Sequence, residues 1–530
     1  VDGTLTRRRT SAAHLTGARP DDRDLRRRRL GVEPFRPGLL GWIVPALATL
    51  LAAGLRLPGL GRPHLLIFDE TYYAKDAYAL LIAGHELVWP EDADTAWLAG
   101  DPAPTDEPSY VVHPPLGKWL IALGIQALGP ESAAGWRISA AVAGTLSVLL
   151  VALIAQRMFR SVLLGGVAGV LTAAEGHHLV MSRVALLDIF LMLFVLAAFG
   201  ALLADRYQGR RRLADSSPEA WLAWRPWRLL AGVLLGAAVA VKLSALAFLA
   251  VFGVLVILWD LQSRRDAGAR RWGAAGLRDA GLAVLTVLPV AVLTYLASWG
   301  GWLRSQTGWG RLWHESHPAE GLGALVPDPL RSLWQYHLSA TDFHTGLDAG
   351  HDYASTPWTW LFMGRPVSFH YESYEQGEAG CAASRCSQAI LDLANPVIWW
   401  AGLAALVLVC ALWLGRRDWR HGAILSGYAA GFAVWLLFPD RTMFFFYTIA
   451  YHPFLILSLV AVAAAVLRTG TDPARFSSRA IRANRRRNTV VVLCFLLLAT
   501  AVSIFFLPLW TGETITYEQW RLRMWLPSWI

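Results

Sequence analysis

Charged residues are scarce in this sequence. Lys, Arg, Asp and Glu make up 16% of its 530 residues, against about 25% in ordinary soluble domains, so a water-soluble globule of this length is excluded. Strict polar–apolar alternation is also missing, which excludes a membrane β-barrel. No small-residue cleavage pattern follows the first apolar run, and no cleavable signal peptide is expected. No internal repeat is visible, which argues against an inverted-repeat transporter. His314, His317, His337, His344, His351 and His370 show no metal-ligand spacing, so no metal site is expected.

What the chain has instead is apolar length. It is 55% hydrophobic with 26 Trp, many at the ends of apolar runs, as in the aromatic belts of membrane interfaces. Several runs reach the roughly 18 residues that read as membrane-spanning helices. The fold class is therefore an all-α polytopic integral membrane protein. The net charge of +9 sits in short loops between spans, as membrane orientation requires, and does not call for nucleic acid.

Spans are read at 39–56, 134–156, 161–176, 184–204, 279–298, 397–414, 422–438, 443–467 and 489–509. The run Leu229–Trp259 has 31 residues and one charge, Lys242. As one helix it would measure about 46 Å, against a hydrocarbon core of about 30 Å. Both flanks are basic (Arg225 and Arg228; Arg264, Arg265, Arg270 and Arg271), so both belong on the cytoplasmic side and the run must cross twice, turning at Lys242. That makes eleven spans, with an Arg-rich cytoplasmic tail over 1–38 expected to be disordered or to lie on the surface. Residues 39–299 form a first transmembrane module with an external loop over 57–132. A large external loop over 300–396, C-terminal spans over 397–509 and an external Trp-rich tail over 510–530 complete the chain. The loops at 157–160, 205–228, 262–278, 415–421 and 468–488 all fall inside and all are basic.

The first external loop opens on "LIFDETYYAKDAY", with Asp69 and Glu70 adjacent. In the helix that follows, Tyr73, Ala77, Leu80 and Leu81 share one face, and Tyr72, Lys75 and Asp76 another. A second amphipathic helix starts at Leu116, and both read as lying on the outer membrane surface. Asp69 suits a helix N-cap, and Glu70 is favoured by the helix dipole. The pair also stands at the face where His113 ("VVHPPLGKWL"), Arg137 ("GWRISAA") and Lys242 converge. A carboxylate beside a cation-held phosphate is what glycosyl transfer from a lipid phosphate needs. The cations stabilise the leaving phosphate, and the carboxylate takes a proton from the attacking hydroxyl.

The motifs "FDETYYAKDAY", "HPPLGKWL", "WRISAA", "SRVALLDIFL", "VKLSALAFL", "PWTWLFMGRPVSF" and "NPVIWW" resemble those of the protein O-mannosyltransferases, integral membrane glycosyltransferases of the GT-C class. The resemblance runs from about residue 40 to the C-terminus. It implies a polyprenyl-phosphate-mannose donor, Ser/Thr hydroxyls of secreted polypeptides as acceptors, modified during translocation, and inversion at the sugar carbon. It implies no obligatory cofactor and leaves a divalent cation open. The 300–396 loop is too short for the β-trefoil-type domain of eukaryotic members, so the chain resembles the bacterial, actinobacterial form. The expected location is the plasma membrane, with the N-terminus cytoplasmic and the active site and C-terminus external.

On this reading Asp69 is the leading base and Glu70 orients acceptor or sugar, the two roles being exchangeable. Arg137, Lys242 and Arg441 bind the donor phosphate. Arg56 is expected to pair with Glu70. Tyr73, His113, Arg183 and Arg365 bind substrate or support the site, and Arg183 pairs with Asp188 or touches the phosphate. Cys381 and Cys386, in the external loop, are expected to form a disulfide. Competing readings are a GT-C enzyme acting on a glycolipid or polysaccharide, and a non-enzymatic polyprenyl-lipid transporter.

Overall fold

The computed structural model describes residues 22–530. Each expected apolar run falls on a helix: Leu40–Arg56, Ala133–Phe159, Val162–Ala174, Asp188–Asp215, Pro226–Val241, Ala245–Asp266, Trp272–Ser298, Pro396–Arg416, Trp419–Ala433, His452–Arg468 and Ser478–Thr511. Six are long and apolar enough to cross a membrane on length and composition, and the others are shorter. The Leu229–Trp259 run breaks where expected. Pro226–Val241 ends at Lys242, which is extended, and a new helix starts at Ala245.

Pro226–Val241 lies between Asp188–Asp215 and Trp272–Ser298. The approach is close enough that a Cβ on Gly236 would stand 2.4 Å from the Ala291 carbonyl oxygen. Small residues serve this purpose where no water-driven force pulls helices together. Two short helices of the first loop, Glu70–Ala83 and Leu116–Leu128, pack on each other. Leu123 on the second is 59% exposed, but Ile121, Ala122 and Ile125 are buried and Leu116, Trp119 and Leu120 pack against the core, so most of its apolar surface faces the protein.

Three expectations need correction. The run at 443–467 does not start as a regular helix: Phe445–Ala450 is a 3-10 turn and the helix begins at His452, with Pro in its first turn, where the missing N–H costs nothing. The fold is not purely helical. Val367–Glu375 and Arg385–Asp392 form an antiparallel hairpin, and Thr514–Thr516 from the C-terminal tail adds a third strand. Residues 367–375 alternate in burial at the period of two that a half-buried strand requires. The Cys381 and Cys386 sulfurs are bonded across the hairpin turn. The Trp-rich tail packs on this sheet: Trp520 and Trp529 are buried, and the Trp529 indole donates to the Met363 carbonyl at 2.7 Å. Finally, part of the Arg-rich segment is ordered. Residues 1–21 lie outside the described residues, but Asp22–Leu30 is a helix docked on Asp188–Asp215 through Arg27–Asp215 (2.6 Å) and Arg210 to the Leu30 carbonyl (2.8 Å).

Candidate active site

A cavity of about 780 Å³ lies against the loop 57–132 that follows the first span. One wall is the helix Glu70–Ala83, with Asp69, Tyr73 and Asp76. The others come from 87–90, 109–113, the turn at Lys242, 343–351 and the aromatic turn 441–447. A smaller, mostly apolar cavity of about 300 Å³ adjoins it. His113, Lys242, His344 and Arg441 line both and so form the neck between them.

Asp69 directly precedes the first helix, yet its side chain makes no capping hydrogen bond. The preceding Phe68 holds φ at +50°, a left-handed conformation that costs a non-glycine residue energy and persists only where packing enforces it. Phe369, Phe444 and Phe446 supply that packing, with ring centroids 5.0–5.9 Å from Phe68. The carboxylate is thereby turned into the cavity, where it interacts with the Tyr73 hydroxyl. Burial pushes the Asp69 carboxyl up to about 6, and the Lys242 charge opposes the rise. The N-cap role is not the one its side chain fills.

Glu70 behaves oppositely. It is fully buried, and both oxygens are occupied: Arg137 Nε at 2.8 Å and Nη2 at 2.7 Å, the Ile67 and Ala185 backbone N–H groups at 3.1 and 2.9 Å, and the Trp136 indole at 3.3 Å. It has no oxygen left to accept a substrate proton, so its expected catalytic role is corrected to a structural one. Arg137 is corrected with it. Its remaining donors go to the Leu60, Pro63 and Leu65 carbonyls, and a guanidinium so committed cannot also bind a phosphate.

Arg56 does not meet Glu70. It lies among His178 (2.7 Å), Ser182 and the carbonyls of Ala52, Thr172 and Ala173. Arg183 binds the Arg56, Pro58 and Gly59 carbonyls and ties down the exit of the first span. Asp188 instead takes Lys242, at 2.9 and 3.1 Å. Arg365 holds the Asp352, Ser528 and Ile530 carbonyls and stays outside the cavity.

Lys242, Arg441, Tyr73 and His113 are brought together. The Lys242 ammonium sits 4.2 Å from the Tyr447 ring centroid, a contact that holds a cation without neutralising it. Arg441 donates to the His344 carbonyl at 3.2 Å and stands 3.5 Å from the Tyr447 hydroxyl. His344 and His113 face each other at 5.3 Å, and the His344 Nε2–H donates to the Val112 carbonyl at 3.2 Å. Burial and the nearby cations push His113 well below the usual histidine range, and burial and Arg441 take His344 down to about 4. The cationic groups of the neck are therefore Lys242, itself paired with Asp188, and Arg441. His344 and Tyr447 were not singled out from the sequence. The available signal was weak: one histidine among six in a long loop, and an aromatic run, "FFFY", beside Arg441. Among the described residues no group of three or more His, Cys, Asp or Glu is placed to hold a metal ion.

Known proteins share this architecture. The family described as dolichyl-phosphate-mannose-protein mannosyltransferase matches residues 115–303, and the C-terminal four TMM region of protein-O-mannosyltransferase matches residues 329–529. A polyprenol-phosphate-mannose–protein mannosyltransferase of Mycobacterium tuberculosis is 38% identical over 93% of this chain and 92% of its own length. One of Corynebacterium glutamicum is 31% identical over 92% and 93%. The solved Pmt1–Pmt2 complex of S. cerevisiae bound to the sugar donor superposes with a TM-score of 0.69 over 95% of this chain and 94% of that chain, at 16% identity. The last shows that the GT-C fold is shared. With relatives matched along nearly their whole length, the chain belongs to the polyprenol-phosphate-mannose–protein mannosyltransferase family.

Proposed function

We propose that the protein transfers mannose from polyprenyl-phosphate-mannose to Ser or Thr hydroxyls of secreted polypeptides, with inversion, at the external membrane face. The observation that carries this reading is Asp69: an uncapped, half-buried carboxylate in the same cavity as two cations at its neck. The donor phosphate occupies the neck, where Lys242 and Arg441 supply charge and His113 and His344 supply neutral imidazoles. The polyprenyl chain follows the apolar cavity, and the sugar enters the larger one. The acceptor hydroxyl attacks the anomeric carbon from the side opposite the phosphate, so a β-linked donor gives an α-mannoside in one displacement. Asp69 takes the hydroxyl proton as the bond forms. Lys242 and Arg441 stabilise the charge that grows on the departing phosphate. Tyr73 orients the Asp69 carboxylate. Glu70 and Arg137 act behind it, fixing the start of its helix against Ala133–Phe159 and the 183–187 stretch.

The basic loops opposite this site support a cavity open to the outside, where polypeptides emerging across the membrane are available. Purified protein in liposomes, given polyprenyl-phosphate-[³H]mannose and a Ser/Thr-rich peptide, should yield α-mannosyl peptide. Labelled glycolipid or polysaccharide with unlabelled peptide would replace this reading with the alternative acceptor class. Lipid redistribution without bond cleavage would replace it with transport.

A further inference from the structure

Seven residues beyond Asp69, two helical turns along the same wall, Asp76 also lines the large cavity. Seven residues correspond to about 10 Å along the helix axis, a separation on the scale of a hexose with its hydroxyls. Behind Asp76 lies Lys118, 1% exposed, whose ammonium is taken by Glu86 and stands 3.7 Å from Asp76. Two carboxylates thus share one ammonium, and Glu86 has the better claim. Burial pushes the Asp76 carboxyl up and Lys118 opposes the rise. Asp76 is left facing the cavity with one long ion contact, although a carboxylate accepts about four hydrogen bonds and a poorly satisfied buried one is costly.

The surroundings limit what can satisfy it. Lys75, Lys118 and Lys242 line the cavity, but each is already paired, with Asp94, Glu86 and Asp188, and among the described residues no group of three or more His, Cys, Asp or Glu is placed to hold a metal ion, so a cation finds no ligand set there. The carboxylate itself repels an anion. A neutral ligand with adjacent hydroxyls meets neither obstacle, and two vicinal O–H groups can donate to the two oxygens of one carboxylate.

We propose that Asp76, backed by Lys118, is the subsite that recognises vicinal hydroxyls of the donor sugar. This rests on the reading of the large cavity as the sugar-binding chamber and assigns it a residue for selecting the hexose. Asp69 acts at the anomeric carbon, and Asp76 holds the far edge of the ring.

The test compares binding of bare polyprenyl phosphate with binding of polyprenyl-phosphate-mannose, using wild type and Asp76→Asn in nanodiscs. Charged hydrogen bonds of this kind are worth about tenfold or more in affinity each. In wild type the sugar should tighten binding at least about tenfold, and in Asp76→Asn that increment should fall below about threefold, with affinity for the bare lipid unchanged. An undiminished increment, or equal weakening toward both ligands, overturns the assignment. If the variant does not fold, wild type decides alone. Donors lacking one hydroxyl each should bind about tenfold more weakly at two adjacent positions, and a flat response across all positions overturns the proposal. Because these are binding measurements, a wild type that gains affinity from mannose but transfers none keeps the subsite and rejects the proposed transfer reaction.

Discussion

Two helices that run side by side, Asp188–Asp215 and Pro226–Val241, carry a buried charge cluster at each end, and the two clusters follow different rules. At one end Asp205 and Asp260 meet Arg225 and Arg228. Arg228 reaches Asp260 at 2.6 Å and Asp205 at 3.0 Å, and Arg225 reaches Asp205 at 2.7 Å. Two positive and two negative groups answer one another, and the cluster closes on itself. At the other end Asp188 holds Lys242, but the Lys242 ammonium also borders the 780 Å³ cavity shared with Asp69 and Arg441. Buried ions without a complete set of partners are costly. A chain that keeps them beside an open volume is arranged for a ligand that completes the set. The same contrast exists within one dipeptide: Glu70 is saturated by five donors and Asp69 faces the cavity.

The sharpest way to break this comparison is to neutralise one member of each kind. Asp69→Asn removes the base and leaves the helix start intact, since the Asp69 side chain makes no capping hydrogen bond there. Its turnover at saturating donor should fall by at least about a hundredfold, with thermal stability and donor affinity unchanged. Glu70→Gln should act through the fold, because it strands Arg137 as an uncompensated buried charge at a cost of about 3–5 kcal/mol. Near-normal turnover in Asp69→Asn, or a fully stable Glu70→Gln, would erase the distinction between an open and a closed carboxylate.

The open cluster can be weakened without touching chemistry. Arg441 donates to a carbonyl and to His344 but has no carboxylate partner among the described residues, so Arg441→Gln strands no opposite charge there. Its loss should weaken binding of both polyprenyl phosphate and the mannosylated donor about tenfold, the value of a charge-assisted contact to phosphate. Equal donor affinity in titrations of wild type and variant would remove Arg441 from the phosphate site.

What the sequence disclosed, and what it concealed, divides along the same line. The break at Lys242 was legible because helix length, bilayer thickness and flanking charge all constrain one 31-residue run. The helices Glu70–Ala83 and Leu116–Leu128 were legible from periodicity. Partner choice was not. Glu70 was expected to face Arg56 and meets Arg137; Asp188 had Arg183 nearby in sequence and takes Lys242. Arg56 and Arg137, far apart in sequence, look alike on paper, and only the packing of Ala133–Phe159 against the first loop decides between them. His344 and the hairpin of 367–392 were hidden for a related reason: each acquires meaning from distant contacts, with Arg441 and with the C-terminal strand.

Protonation gives a smaller, graded handle on the open cluster. A base works only when deprotonated, and burial raises Asp69 to about 6, above the ordinary carboxylate range. Activity should therefore rise with pH, with a midpoint of about 6 in kcat/KM for the free enzyme. Between pH 5 and pH 7 the deprotonated fraction grows about tenfold. A midpoint near 4, or a profile flat across this interval, would place the titrating group elsewhere.

The smallest effect on catalysis is expected where the charges are closed. Arg228→Met alone leaves Asp260 with only the 3.4 Å contact to Arg225, and breaking such a cluster from one side should cost about 3–5 kcal/mol of stability. Arg228→Met combined with Asp260→Leu removes a matched pair and fills its volume with apolar groups, an exchange that is often neutral or stabilising. The double variant should thus recover the thermal stability that the single one loses. Its mannosyl transfer should stay within about twofold of wild type, since distant sites without shared partners act independently. Donor affinity measured beside stability decides the matter. If the double variant is stable and still binds donor poorly, the two ends are coupled along Asp188–Asp215 and Pro226–Val241, and the paired cluster is more than scaffold. If stability returns and donor binding never changed, charge closure alone separates the structural end of these helices from the chemical one.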